Sequence, residues 1–423
     1  MQGASRDARA QETKSSVPGQ IIVKLAPGFG IGAINLRYNT QTQECFIACN
    51  DSPDSRVYLL KIPEGANIQV KLDEIAADWR VEYAELNYLI GAPEANNGAQ
   101  ANAKHYAFPA GDATPTTGSY SRDSSYSDAA LHLSDARKIS KGTGTTVAVI
   151  DTGAQMDHPA LKSQFVGIPR YDFVSNDNDP SEPPLAGTEE QRNREIVGHG
   201  THVAGIVHLV APQAALMPLR ALNRDGSGSV FHVAEAVAFA DVNGADVINL
   251  SLGTPSWSRL LREKVVGAID HGSVVAAAAG NYNFLVQQYP ASRTAPIAKT
   301  DDGLLAVTSV RPRLGEKKSD FANYGPWVDI AAPGEEILST YPVSRYAYWS
   351  GTSMATPFVA GEAALVQATY KLGPVGVEKR IRSGADCLDD TSGYPGMLGA
   401  GRADIGASLK GVEGQHCILQ ASP

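Results

Sequence analysis

The stretch Ala245–Asn281, ADVINLSLGTPSWSRLLREKVVGAIDHGSVVAAAAGN, contains the repeating unit of the fold. ADVINLSLG and GSVVAAAAGN are continuous apolar runs of buried-strand length, and RLLREKVVGAIDHG between them is a helical candidate. A strand, a helix and a second buried strand make a crossover unit, which joins parallel strands. The alternation continues outward from this stretch. TTVAVID, AALMPLRAL, LLAVTSV and WVDIAAPG read as further buried strands, THVAGIVHLV and FHVAEAVAFADVNG as further helices. The expected fold is α/β, a parallel sheet covered by helices on both faces. Ligands bind such sheets beyond the carboxyl ends of the strands.

Upstream the pattern is different. Residues 17–92 read as a small α+β unit in which GQIIVKLAPG, RVYLLKIPEG and VEYAELNYLI are strands. In NIQVKLDEIAADW, Ile68, Leu72, Ile75, Ala76 and Trp79 fall at helical spacing after Asn67, a candidate cap. Residues 1–16 are expected to be disordered and residues 93–127, aperiodic and rich in small polar residues, to be an exposed linker. The α/β domain then occupies 128–410, with a tail at 411–423.

At 423 residues the chain suits two domains, and 43% hydrophobic residues suffice for a real core. The net charge of −9 and the lack of a dense Lys/Arg run argue against nucleic-acid or anionic-membrane partners. No apolar run approaches membrane-spanning length. The start, MQGASRDARAQETKSS, does not read as a signal peptide, so the protein is cytoplasmic or its export signal lies outside this sequence. The cysteines, Cys45, Cys49, Cys387 and Cys417, lack zinc-ribbon spacing. Proximity favours disulfides Cys45–Cys49 and Cys387–Cys417, which would suit an exported protein; four buried thiols are the alternative.

In WSGTSMATPFVAG, Trp349–Gly361, a small polar turn runs into a stretch that is apolar all round, the mark of a buried helix. Pro357 is best tolerated near a helix start, so Ser353 is expected at the N-terminus, where free N–H groups favour negative charge. Ser353 is then an N-cap or, with a base beside it, a nucleophile. Asp151 ends the strand TTVAVID and reads as a turn residue, a helix cap or a functional carboxylate. Its Asp-Thr-Gly lacks the second such motif that an aspartic protease needs. GHGTHVAGIVHLVAP offers His199, His202 and His208 at a loop-to-helix junction; without the H-E-x-x-H pattern zinc is disfavoured, but spacing alone does not choose a general base among the three. Asn281, at another strand end, is a turn former or an amide donor to an oxyanion.

These residues occur in the order Asp, His, Ser at strand ends or helix starts of one domain. With VAVIDTGAQMDHPAL, GHGTHVAG, AAAAGN and GTSMATPFVAG around them, the chain resembles the subtilisin-like serine proteases from about Leu131 to GAGRADIGASL. Residues 17–92 resemble that family's N-terminal propeptide. The resemblance implies that Ser353 is the nucleophile, His199 the base, Asp151 its orienting group and Asn281 the oxyanion donor. It also implies that Gly226-Ser227-Gly228 and Ser251-Leu252-Gly253 hold the substrate backbone, and that Ala278, Ala279 and Gly280 wall a pocket for bulky apolar side chains. Phe358 stands where the family often has histidine.

The implied enzyme is a monomeric, secreted serine endopeptidase, made as a self-processing precursor. It acts on polypeptides and is restrained by its own propeptide. Its chemistry requires no cofactor and no metal ligand is assigned. Structural calcium is conceivable in DFVSNDNDPSE, although that loop fails the EF-hand pattern and reads more readily as a solvated acidic loop. The complete set of four residues argues against a catalytically silent relative that only binds peptides. An esterase or acyltransferase would share the acyl-enzyme chemistry.

Overall fold

The computed structural model describes residues 16–46, 56–95, 106–107, 130–184, 196–292, 302–311, 317–388 and 393–412. The first unit contains β1 (Ser16–Leu25), α1 (Ile31–Tyr38), β2 (Gln41–Cys45), β3 (Val57–Lys61), α2 (Ile68–Ala76) and β4 (Val81–Gly91). Its antiparallel sheet has the order β2-β3-β1-β4. The two-residue period of β1 gives the sheet two buried faces. Ile21, Val23 and Leu25 pack with Ile34, Tyr38, Leu60 and Ile75 inside this unit, whereas Ile22 belongs to the core of the larger unit. Asn67 Oδ1 accepts from Val70 N at 3.1 Å and caps α2. The helix stops before Trp79, which is 73% exposed and meets Phe29 edge-on. Asp78 ends the helical pattern early: its buried carboxylate binds Tyr38 Oη and the Arg80 guanidinium and fixes the turn into β4.

The larger unit contains β5 (Tyr106–Ala107), α3 (Leu133–Ile139), β6 (Thr146–Asp151), β7 (Tyr171–Asp172), α4 (His199–Val210), β8 (Ala215–Arg220) and β9 (Ser227–Ser229). It continues through α5 (Val230–Val242), β10 (Val247–Leu250), α6 (Arg259–Asp270), β11 (Val274–Ala278), β12 (Leu304–Val310) and β13 (Ile330–Pro333). Last come the hairpin β14 (Ile337–Tyr341) and β15 (Arg345–Trp349), then α7 (Thr352–Tyr370), α8 (Pro374–Gly384) and α9 (Ile405–Lys410). The main sheet has the order β13-β12-β11-β10-β6-β8-β7, all parallel. Every residue of β10 to β13 is buried, which explains why these strands read as mainly apolar runs rather than alternating ones. After β6 the chain adds β7 and β8 on one side and β10 to β13 on the other. The crevice of such a reversal lies beside the ends of β6 and β10.

The units share more than a boundary. Leu89–Gly91 of β4 pair antiparallel with β9, so the first sheet continues into the second unit. Phe46 meets Phe231 edge-to-face at 5.6 Å. Glu85, nearly buried on β4, accepts from Ser258 Oγ at 2.7 Å, Arg259 N at 2.8 Å and Leu260 N at 3.1 Å, satisfying the N-terminus of α6. Asn87 Oδ1 takes Phe231 N at the start of α5 at 3.1 Å. The segment expected as an exposed linker therefore starts inside the structure: Pro93 and Glu94 are buried, and Tyr106–Ala107 pair with β15. The rest of that segment, apart from Ala95, and the expected disordered N-terminus before Ser16 lie outside the described residues.

Candidate active site

Local structure brings the four singled-out polar residues together. Asp151 is the last residue of β6 and His199 the first of α4, entered through Gly198 at φ +97°. A side chain at Gly198 would collide with Tyr341, so only glycine fits this entry. Asp151 Oδ1 lies 2.7 Å from His199 Nδ1, with both side chains fully buried. Asp151 Oδ1 also accepts from Thr152 N at 2.7 Å, which holds the carboxylate in place. Gly351 is the N-cap of α7, so Ser353 is the second helical residue and not the cap, while Pro357 sits inside the helix. Ser353 Oγ is 3.2 Å from Ser251 O, and Ser251 Oγ donates to Ser353 O at 2.9 Å. Asn281 Oδ1 accepts from Thr352 N at 3.0 Å and Thr352 Oγ1 at 2.9 Å, which turns its Nδ2 towards Ser353.

These groups converge on Glu94, a residue absent from the sequence reading. Its Oε2 accepts from Ser353 Oγ at 2.7 Å and lies 3.3 Å from His199 Nε2. Its Oε1 accepts from Asn281 Nδ2 at 2.8 Å. Burial alone would push the Glu94 carboxyl up, but the His199 imidazole, Ser353 and Asn281 bring it below its ordinary range. Burial likewise opposes charge on His199, yet the Asp151 and Glu94 carboxylates raise its pKa to about 10. The two shifts point the same way: the His199 ring lies between the Asp151 and Glu94 carboxyl groups, an arrangement that favours charge on the ring and on Glu94. No local signal marks Glu94, because the sequence GAPEANNG gives no hint that the chain returns to the cleft.

Residues 142–396 match the family model described as the subtilase family, and residues 3–87 match the fervidolysin N-terminal prodomain. The chain belongs to the subtilase family. It is 35% identical over 82% of its length, and 77% of the relative's, to a thermophilic serine proteinase of Bacillus sp. strain AK1. It is 38% identical to thermitase of Thermoactinomyces vulgaris over 64% of this chain and 91% of that one. In fold it is similar to fervidolysin of Fervidobacterium pennivorans, a keratinolytic enzyme related to subtilisin, with a TM-score of 0.72 at 23% identity, covering 93% of this chain and 61% of that one. This subtilase is thus a serine peptidase with an N-terminal prodomain, and the family's chemistry needs no cofactor.

Around the subtilase site, the expected backbone-binding segments divide in two. Gly228 and Ser227 oppose Ile90 and Gly91, and Gly226 O accepts from Ala92 N at 3.0 Å. Gly253 exchanges two bonds with Gly91, at 3.1 and 2.8 Å. Ser251 instead secures the Ser353 turn, and Leu252 is buried. Ala278, Ala279 and Gly280 continue from β11; Asn323 Nδ2 donates to Ala279 O at 2.8 Å. A Cβ on Gly280 would lie 2.7 Å from Gln288 Cγ, and one on Gly253 3.0 Å from Gln288 Oε1. Gln288 therefore lines the same wall, brought there by a loop that the strand-and-helix pattern does not foretell.

His202 has a different job from His199. Its Nε2 faces Ile337 O and Ala347 O at 3.0 Å, and its ring stacks on Trp349. His208 is half-buried beside Gln164, and its desolvation lowers its pKa to about 4. In the acidic loop, Asp172 accepts from Val174 N and Ser175 N and pairs with Arg220. Asp177 and Asp179 cap their own turns, and Glu182 takes Thr152 Oγ1. Among the described residues, the His and acid groups close enough to share an ion are Glu44–His232–Glu235 and His132–Asp386–Asp404, neither in this loop. Neither Cys45 nor Cys387 is a free thiol; Cys49 and Cys417 lie outside the described residues. No helix among the described residues is long and apolar enough to cross a membrane.

Proposed function

We propose that this subtilase is an endopeptidase in which Ser353, His199 and Asp151 form the catalytic triad and Asn281 the side-chain oxyanion donor. The observation that carries this reading is the convergence of Ser353 Oγ, His199 Nε2 and Asn281 Nδ2 on one carboxylate, within 2.7 to 3.3 Å. An extended substrate lies as a strand between Gly226–Gly228 and Gly253, along the path that Leu89–Gly91 take. Ser353 Oγ attacks the peptide carbonyl carbon as its proton passes to His199 Nε2. Asp151, on His199 Nδ1, fixes the tautomer and stabilises the imidazolium. The oxyanion is held by Asn281 Nδ2 with the Ser353 backbone N–H at the start of α7. The imidazolium then protonates the leaving amine, and water releases the acyl group by the same steps. Ala278, Ala279 and Gly280, with Gln288 against Gly280, wall the primary side-chain pocket.

In the same reading the first unit is an inhibitory prodomain, and the enzyme cuts itself between about Gly91 and Ser127. Export, a monomeric state and the disulfides Cys45–Cys49 and Cys387–Cys417 complete it; the bonded state of Cys45 and Cys387 supports the last. A fluorophosphonate reagent tests the triad. Prodomain-free enzyme should be labelled on Ser353 alone, and Ser353→Ala should be unlabelled and remain full length. Labelling elsewhere would overturn the triad assignment, and cutting of Ser353→Ala at the wild-type position would overturn self-processing and assign the cut to another protease.

A further inference from the structure

The segment leaving β4 makes a contact that an extended substrate would not make. Leu89–Gly91 pair as a strand, and Ala92 N still reaches Gly226 O. There the path changes. Ala95 N donates to Ala92 O at 2.9 Å and closes a four-residue turn with Pro93 second, where its fixed φ suits a turn. The turn takes the main chain off the substrate path, and the Glu94 side chain enters in its place. A Cβ on Gly351 would stand 1.7 Å from Glu94 Oε1 and 3.2 Å from Asn281 Nδ2. The space left by that glycine is the space the carboxylate fills.

We propose that the catalytic site is also a carboxylate-binding site, and that Glu94 is its built-in ligand, barring Ser353 while the prodomain is attached. This rests on the roles given above to Ser353, His199 and Asn281. A carboxylate suits the site chemically. One oxygen takes the oxyanion's donor and the other takes the hydroxyl hydrogen of the nucleophile. A carboxylate carbon is a poor electrophile, so the occupant is not consumed. Its charge blocks the site a second way. The charged groups facing the His199 ring are Asp151 and Glu94, and Tyr282 also feels the Glu94 charge. Glu94 Oε2, 3.3 Å from His199 Nε2, and Asp151 on Nδ1 favour the protonated ring, the form that cannot take the Ser353 proton. Cutting of the linker then requires the Ala92–Ala95 turn to open and Glu94 to leave.

The test uses the full-length chain, with uncut molecules identified by intact mass, and follows the initial rate of fluorophosphonate labelling at Ser353 against pH. Glu94→Gln keeps the shape and removes the charge; Glu94→Ala removes both. Both variants should label at least about tenfold faster than the parent near neutral pH, the scale of a lost charge-assisted bond. Their labelling should also begin at lower pH, because His199 loses one of its two carboxylates. Equal rates and pH profiles in parent and variants, with Ser353 labelled in all, would overturn the proposal and leave the triad standing. A faster Glu94→Ala with Glu94→Gln at the parental rate would reject the charge as the barrier. No labelling of Ser353 in any form, prodomain-free enzyme included, would reject the triad and the proposal with it.

Discussion

Replacing Glu85 by alanine should loosen the prodomain from the helices it covers. The Glu85 carboxylate takes three donors at the start of α6: Ser258 Oγ, Arg259 N and Leu260 N. It is 8% exposed, so water does not reach these donors while the units are docked. Hydrogen bonds to a charged acceptor contribute about 1.5 to 3 kcal/mol each, and unsatisfied buried donors cost about 1 to 3 kcal/mol. Two effects reduce the sum. Ser258 Oγ already accepts from Leu261 N and keeps one cap of the helix, and water can enter the space left by the carboxylate. A net loss of about 2 to 4 kcal/mol is expected, about thirty- to a thousandfold in the docking equilibrium. The assay is amide hydrogen exchange in the full-length Ser353→Ala chain, which lacks the proposed nucleophile and with it the proposed route to self-cutting. Arg259 and Leu260 amides should lose protection by that factor in Glu85→Ala, while amides of β11 and β12 keep theirs. Protection at Arg259 and Leu260 within about threefold of the parent would show that Glu85 is replaceable, and that docking rests on the apolar contacts of Phe46 and Ile22.

Two further outcomes are open to direct measurement. Asn281→Ala in prodomain-free enzyme should lower kcat about a hundred- to a thousandfold, the cost of one oxyanion donor, with KM little changed; a raised KM at constant kcat would make Asn281 a ground-state binder. Glu362 lies wholly buried in α7, and burial pushes its carboxyl up to about 8. A raised native pKa means that the folded chain binds more protons than the unfolded chain between about pH 4.3 and 8, so stability falls as pH rises through that window. Glu362→Gln should therefore raise Tm at pH 8 and change it little at pH 5; equal shifts at both pH values would refute a buried charge there.

Much of this protein is legible in its sequence because burial leaves a direct record. β10, β11 and β12 are buried on both faces, and their sequences are mainly apolar runs for that reason, with Asn249, Thr308 and Ser309 as buried polar exceptions. The Asn67 cap and the helix after it are local, governed by one side chain and the backbone three residues on. The motifs around Asp151, His199, Asn281 and Ser353 are local as well, each at a strand end or helix start. The family likeness followed from them. The tertiary structure decided matters in which one local pattern allows two outcomes. His199 and His202 sit one turn apart on the same helix; only the positions of Asp151 and of the carbonyls Ile337 O and Ala347 O give one a carboxylate partner and the other a packing role. Trp79 fits the helical spacing but lies outside the helix, because the Asp78 turn binds Arg80 and Tyr38, and Tyr38 is far off in the chain. Glu94 is the furthest from any local rule. Its contacts lie 259 residues away at Ser353 and 187 away at Asn281. A carboxylate in a polar, aperiodic stretch looks the same whether it faces water or three buried groups, and only the closed fold gives it those neighbours.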